Sequence, residues 1–245
     1  MKKKIYILVG CLLLILGWIL AYFIINNPLI IPSPINVYNS FIKLFKSNSI
    51  YIDIYQTLYR TIISFIISYI FGLIFATISS KSTKIEDIFK PLFTCLRAIP
   101  TVSFIIIFIM IIGFKRAPYY IVFIISFPII YQTILEGYKN INPELKMINK
   151  LDNYNPIKNY FLFTFPMIKT SLITAFISSF TLSFKVEVMA ETLTGSTKLK
   201  GLGFLIHIYR YENDISAILA IAILIIILSS LFEILGKFII KLVKE

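Results

Sequence analysis

Residues 215–240 read ISAILAIAILIIILSSLFEILGKFII, an almost unbroken apolar run near the end of the chain. Only Glu233 and Lys237 in this run carry a charge. A helix rises about 1.5 Å per residue and the hydrocarbon core of a bilayer is about 30 Å thick, so about 20 apolar residues can cross it. The run therefore predicts a transmembrane helix.

The remaining sequence has the same character. Of its 245 residues, 58% are hydrophobic and 15% are charged, and the mean hydropathy is +0.86. A water-soluble domain needs more polar surface than this composition supplies. We predict an all-α, polytopic membrane protein with about six transmembrane helices. The predicted spans are residues 5–25, 58–78, 92–112, 117–135, 161–184 and 215–240.

The segments between the predicted spans are too short to hold a soluble catalytic domain, so residues 1–245 are expected to form a single transmembrane domain. The first apolar run follows three lysines but is long and lacks a small-x-small cleavage site, which favours an uncleaved helix over a signal peptide. Basic residues are more frequent in the segments that lie inside when both termini are cytoplasmic. The bias predicts that orientation.

Several functional classes do not fit the composition. The net charge of +12 is spread over short clusters between apolar runs, unlike a basic nucleic-acid-binding module. Cys11 and Cys95 lie inside apolar runs without metal-ligand spacing, and His207 is the only histidine. A membrane-embedded enzyme would show clusters of acids, bases or metal ligands at helical spacing. We expect neither a metal nor a bound cofactor, and no catalytic residues.

A polar stripe runs along the fifth predicted span. Serine, threonine and lysine residues recur there at steps of three and four, so they share one helical face. The stripe consists of Ser171, Thr174, Ser178, Thr181 and Lys185. A lysine that faces lipid is energetically costly, so the face is predicted to line a translocation path. The alternative is that the face serves only helix packing and that the Lys185 side chain extends to the membrane interface.

Pro100 interrupts the third predicted span and should bend it. Broken helices often border the substrate cavity of a transporter, so Thr101 and Ser103 are candidate lining residues beside the alternative of a packing kink. Glu187 and Glu191, four residues apart, could pair with Lys185, approach an outer gate, or be solvated interfacial charges.

A second stripe, of small residues, lies in the second predicted span. It comprises Ser64, Ser68, Gly72, Ala76 and Ser80, each four residues from the next. Such spacing lets a neighbouring helix approach closely in lipid, and helix packing is favoured over a substrate-lining role.

The segment 137–160 is predicted to be cytoplasmic and to contain a short helix. Asn142, Pro143 and Glu144 form a good helix start. Leu145, Ile148 and Leu151 then recur at three-residue steps and would form an apolar ridge outside the bilayer. Such a ridge requires a partner.

Five stretches, in the same order along the chain as in a known family, resemble that family's motifs. They are IPSPINV at 31–37, TLYRTIISF at 57–65, KPLFTCLRAIPTVSF at 90–104, NPELKMINKLDNYNPIKNYFLFTFP at 142–166 and AETLTGSTKLKGLGFLI at 190–206. With them the chain resembles the permeases of binding-protein-dependent ABC importers, especially the nitrate, sulfonate, taurine and thiamine-precursor group. The resemblance implies a type I importer-like permease fold in a bacterial-type inner membrane.

The resemblance also implies roles for particular residues. Contacts with an ATPase would lie at Glu144, Leu145, Ile148, Leu151, Asp152 and Asn153. The stretch with Gly201 and Gly203 resembles a gating element on the side of the external binding protein, and Glu191 is assigned to the same outer gate from its position. The path residues Thr101, Ser103, Ser178, Thr181 and Lys185 are predicted from the polar stripe and the proline break, not from the resemblance. Ile148 and Asp152 depart from the family pattern, which usually has alanine and glycine at these positions.

Family members work as two permeases, two ATPases and an external solute-binding protein. The sequence contains no GxxxxGK[ST] phosphate loop, so ATP is expected on a partner subunit. A homodimer of permeases is the default for this group. The solute cannot be read from the sequence. The alternative is a membrane scaffold or assembly subunit that anchors a soluble partner through residues 136–158.

Overall fold

The computed structural model of the chain describes residues 2–151, 155–195 and 200–244. Helices account for all the regular structure in these ranges. In chain order they are α1 (Lys2–Ile25), α2 (Pro34–Lys46), α3 (Ser49–Ser79), α4 (Thr83–Ala98), α5 (Thr101–Ile112), α6 (Ala117–Lys139), α7 (Pro143–Leu151), α8 (Pro156–Asn159), a π-helical turn (Tyr160–Thr164), α9 (Phe165–Thr194), α10 (Leu202–Tyr211) and α11 (Ile215–Lys244). The predicted all-α fold is confirmed.

Four helical stretches are long and apolar enough to cross a bilayer: Ser49–Ser79, Ala117–Lys139, Tyr160–Thr194 and Ile215–Leu242. The pair formed by α4 and α5 adds a fifth if it is counted as one span. Within α1, the apolar stretch Leu12–Ile25 is shorter than these four stretches. Four of the six predicted spans therefore correspond to long apolar helical stretches, although α3 begins nine residues before the predicted 58. The third corresponds to the bent pair of α4 and α5, and the first is not among the candidate spans of the described residues. The predicted number of about six is thus corrected to four or five.

The third predicted span, 92–112, is not one helix. It is broken after Ala98, and α4 and α5 are bent by 92° relative to each other. Ile99 has an extended backbone (φ −74°, ψ 127°) because a residue that precedes proline avoids the helical region. The predicted bend at Pro100 is thus a full break. Phe93 of α4 stacks on Tyr131 of α6, with 3.9 Å between ring centroids.

The core is built where α6 packs against α3 and α9. Ser64, Ser68, Gly72 and Ala76 are buried, which confirms the predicted packing role for these four residues. Ser80, the fifth residue of the stripe, is exposed just beyond the end of α3. A β-carbon at Gly72 would lie 2.9 Å from Cβ of Ile130, so the two backbones approach as closely as a glycine allows. The serine hydroxyls donate to carbonyls of their own helix, as Ser68 does to Ser64 at 2.7 Å.

A second cluster joins the amphipathic helix α2 to the long helices. Val37 and Leu44 are buried in one cluster with Phe184 of α9 and Ile221 of α11. The α2 helix starts with Ser33, whose side-chain oxygen accepts from the backbone N–H of Asn36 at 3.1 Å, followed by a proline in the first turn.

The close contact at Gly72 can be tested by adding one methyl group. We expect Gly72→Ala to lower the free energy of unfolding by about 1–3 kcal/mol, because the methyl meets Ile130 in a packed interface. The measurement is the unfolding midpoint of the detergent-solubilised protein. Gly17→Ala in α1 is the matched control, since no atom lies within 4 Å of that position. Equal midpoints for the two variants would contradict the packing.

Candidate functional site

One buried ionic cluster joins α3 to α9. Arg60 of α3 donates through Nε to Oε1 of Glu187 at 3.0 Å and to Oε1 of Glu191 at 3.2 Å. Its Nη2 also pairs with Glu191. Arg60 is 4% exposed and both glutamates are completely buried. A charge buried at this level requires a partner, and each of these has one.

The same cluster fixes the start of α10. Oε2 of Glu191 accepts from the Thr57 hydroxyl and from the Gly203 N–H, each at 2.9 Å. The Leu202 N–H donates to the Thr57 hydroxyl oxygen at 2.9 Å. Arg60 Nη2 donates to the carbonyl oxygen of Lys200 at 2.5 Å. Residues of α3 and α9 thereby bind the backbone that leads into α10.

Glycine is required where this backbone meets the cluster. A β-carbon at Gly201 would lie 2.6 Å from Nη2 of Arg60. A β-carbon at Gly203 would lie 2.6 Å from Cβ of Glu191 and 2.8 Å from the Thr192 nitrogen. The contact to Thr192 involves backbone, which cannot rotate away as a side chain can. The GLG stretch is thus explained by close packing on the ionic cluster.

The structure brings together the three residues predicted for an outer gate, Glu191, Gly201 and Gly203. Two predictions for the glutamates are wrong: they pair with Arg60 rather than with Lys185, and they are not solvated. Arg60 and Thr57 were not predicted as members of the site. The available signal was an arginine within an apolar span, since such a charge implies a buried partner.

The polar stripe of α9 lines a groove between α9 and α11. Ser178, Thr181 and Lys185 are among the lining residues of a cavity of about 330 Å³, together with Glu233 and Lys237 of α11. An adjoining cavity of about 360 Å³ shares Lys185 and Glu233. The shared face predicted for these residues is confirmed.

Lys185 is exposed in this groove, and no carboxylate of a described residue lies within 4.0 Å of its ammonium group. The hydroxyls of Ser178 and Thr181 donate to carbonyls one turn earlier in α9, at 2.7 and 3.1 Å. Thr101 and Ser103 are half-buried on α5 and are not among the lining residues of this groove. The structure therefore does not bring them to Lys185.

The predicted short helix of the segment 137–160 is present as α7. The N–H of Glu144 donates to the side-chain oxygen of Asn142 at 2.9 Å, which confirms the predicted helix start. Leu145 and Met147 are 37% and 70% exposed. Ile148 and Leu151 belong to α7, but their side chains lie outside the described part of the chain, as do Asp152 and Asn153 altogether.

An exposed ion pair fixes the helix that leads into α7. Nζ of Lys139, the last residue of α6, lies 2.5 Å from Oε1 of Glu86 in the first turn of α4. On the other side of α7, the π-helical turn Tyr160–Thr164 opens directly into α9. The segment 137–160 is therefore connected at both ends to helices of the core.

Long apolar helices and a bent helix pair, joined by segments too short for a soluble domain, define a polytopic membrane protein. A family model described as "Binding-protein-dependent transport system inner membrane component" matches residues 68–245. The chain belongs to this family and is a membrane-spanning permease subunit of a binding-protein-dependent ABC importer. No curated protein gives a significant match.

Solved structures share the fold. A chain of the inward-facing MetNI methionine ABC transporter superimposes with a TM-score of 0.70 and 16% identity, over 80% of this chain and 96% of its own. A chain of an amino acid ABC transporter crystallised with histidines gives a TM-score of 0.65 and 14% identity, over 83% and 94%. At these identities the similarity establishes the permease fold alone.

Replacement of Arg60 should show how much the ionic cluster contributes to the free energy of unfolding. We expect Arg60→Met to lower the free energy of unfolding by about 3–5 kcal/mol, because two buried carboxylates lose their cation. Adding Glu187→Gln and Glu191→Gln to the same chain should recover part of the loss. The unfolding midpoint in detergent measures both effects. Arg116→Met, at an exposed position, is the control. If it lowers the unfolding midpoint as much as Arg60→Met does, the cluster does not stabilise the fold.

Proposed function

We propose that two copies of this chain form one solute translocation path, which is lined in part by the α9 groove. The observation that carries the proposal is the exposed ammonium group of Lys185 within a membrane-spanning helix. Facing lipid, this charge would be costly, whereas a water-filled path between two permeases would hydrate it. Thr101 and Ser103 of α5 are proposed to border the same path from another side of the chain.

The same proposal assigns α7 to the contact with a separate ATPase subunit. Leu145 and Met147 expose apolar side chains on a helix outside the spans, so they are available to a soluble partner. Glu144, Ile148, Leu151, Asp152 and Asn153 complete the proposed contact. ATP would be bound by the partner, because this sequence lacks a phosphate loop. Closure of two ATPases would then move the two α7 helices and alternate the access of the path.

The ionic cluster is proposed to belong to an outer gate. Glu191, Gly201 and Gly203 hold the start of α10 against α3 and α9, so a movement of α10 must move these helices as well. Near it, a polar cavity of about 290 Å³ is lined by residues of α2, of the start of α3, of α10 and of the start of α11. The lining includes Lys43 of α2 and Asp214, which precedes α11. This face would receive an extracytoplasmic solute-binding protein.

The proposed solute is a small organic anion or nitrate, as in the nitrate, sulfonate, taurine and thiamine-precursor group. Support comes from the two lysines of the groove, Lys185 and Lys237, which outnumber its one acid, Glu233. Both termini are proposed to be cytoplasmic in a bacterial-type inner membrane, because this orientation places most basic residues inside.

Recruitment of the ATPase can be tested by placing a charge on α7. The tagged chain is purified from its native membrane, and the bound proteins are identified. An ATPase subunit should accompany the wild type and be lost with Leu145→Asp, because a carboxylate cannot enter an apolar docking cleft. Thr83→Asp is the matched control, since it adds the same charge in the first turn of another helix, at an exposed position.

Absence of an ATPase from the wild-type preparation would contradict the coupling proposal and favour the scaffold alternative. Equal loss with Thr83→Asp would show a general charge effect instead of a contact at α7.

Water access to the groove tests the path itself and does not require knowledge of the solute. After replacement of Cys11 and Cys95 by serine, cysteine is introduced with Ser178→Cys or Thr174→Cys, at two exposed lining positions of the groove. A membrane-impermeant charged thiol reagent should modify both variants, since only a thiol in contact with water forms the reactive thiolate. Ile70→Cys, at a 49% exposed position of α3, should remain unmodified in lipid. Protection of all three thiols would contradict a hydrated groove.

A further inference from the structure

A polar cavity of about 390 Å³ lies beside α7 and is distinct from the groove of the path. Its walls come from four stretches: the turn after α3, the end of α6, α7, and the π-helical turn with the residue before it. The lining includes Lys81, Tyr138, Lys146, Asn159 and Thr164. The cavity is therefore open to a ligand that would touch both the core and the segment proposed for coupling.

The charge of the cavity is positive. Lys81 and Lys146 are both lining residues, and no acidic residue lines the cavity with them. Within the described ranges of the chain, neither ammonium group lies within 4.0 Å of a carboxylate. Two cations that share a cavity without an anion repel each other, so a bound anion lowers the electrostatic free energy of the site.

Neutral hydrogen-bonding groups complete the lining. The buried Oδ1 of Asn159 has no hydrogen-bond partner among the described residues. Rotation of its amide by 180° exchanges the oxygen for the NH2 group, which would then donate into the cavity. The hydroxyls of Thr77, Tyr138 and Tyr160 follow one another at 2.8 and 3.5 Å along one wall. An anion with several oxygens can use such a mixed set of donors.

The surroundings favour a lipid as the source of that anion. Phe161 and Leu162 follow Tyr160 directly and are 63% and 60% exposed, so apolar surface adjoins the polar cavity. Basic pockets between helices at the cytoplasmic face of a membrane bind anionic lipid headgroups. A headgroup phosphate in the cavity would leave its acyl chains beside these two side chains.

We infer that this cavity binds a phosphate group, supplied by an anionic phospholipid of the inner leaflet, and that the phosphate links Lys81 after α3 to Lys146 of α7. Lipid binding would thereby hold α7 against the core and set its position for the ATPase. The inference rests on the proposed orientation with α7 in the cytoplasm. The alternative source of the same chemistry is free inorganic phosphate or a soluble phosphate ester.

The experiment measures binding to the full-length, delipidated chain in neutral detergent. The probes are phosphatidylglycerol, phosphatidylcholine with the same acyl chains, and inorganic phosphate. Bound lipid is counted by native mass spectrometry, and the unfolding midpoint is followed in parallel. The test variant combines Lys81→Gln with Lys146→Gln. The control combines Lys84→Gln with Lys90→Gln, which removes two exposed charges from α4.

We expect phosphatidylglycerol to bind the wild type and the control alike and to bind the test variant about 30-fold more weakly, from two lost lysine contacts. Phosphatidylcholine should show no such difference. Stabilisation by inorganic phosphate that depends on Lys81 and Lys146, without preference between the lipids, would support the cavity but assign a soluble ligand. Equal behaviour of test and control variants with every probe would overturn the inference.

This outcome is separable from that of the proposed function, because the lipid measurement uses the chain without its partners. Leu145→Gln, which adds no charge beside Lys146, should lower recovery of the ATPase and leave binding of phosphatidylglycerol unchanged. Failure of the lipid test together with normal ATPase recovery would reject the cavity and retain the permease mechanism.

Discussion

The pairing of Arg60 with Glu187 and Glu191 is the constraint on which the packing of α3, α9 and α10 depends. A guanidinium in the middle of an apolar helix cannot remain without a counter-charge, because transfer of an unpaired ion from water to an apolar medium is prohibitive. Its partners lie 127 and 131 residues further along the chain. Pairing therefore fixes α3 against α9 at one depth and one rotation, since a shift of one residue would separate the charges.

The consequences extend from the ionic cluster to α10. Glu191 uses its second oxygen for Thr57 and for the backbone of Gly203, so α10 begins where the carboxylate holds it. On the opposite side of α9, Lys185 points into the groove with α11 instead of joining the glutamates. Helix α9 thus separates two charge environments: a buried face with paired ions, and a groove-lining face with an exposed cation.

The end of the bundle that carries α7 differs, because its ion pair is exposed instead of buried. Helix α7 is short and amphipathic, and it lies between α6 and the π-helical turn. The Lys139–Glu86 ion pair joins the end of α6 to α4, and exposed pairs of this kind contribute little stability. A cavity lined by Lys81 and Lys146 remains between α7 and the end of α3.

The sequence by itself determined the features that depend on local composition. Apolar length located the spans, four-residue spacing identified the packing face at Gly72, and Asn142 with Pro143 marked the start of α7. Pro100 predicted a bend, but the 92° break depends on how α4 packs against α6 through Phe93 and Tyr131. Only the tertiary structure decided which cation Glu187 and Glu191 face, that Thr101 lies apart from Lys185, and that Lys81 and Lys146 share a cavity. The physical reason is that helical periodicity fixes which side chains share a face, whereas the partner of that face is set by contacts between residues far apart in the chain.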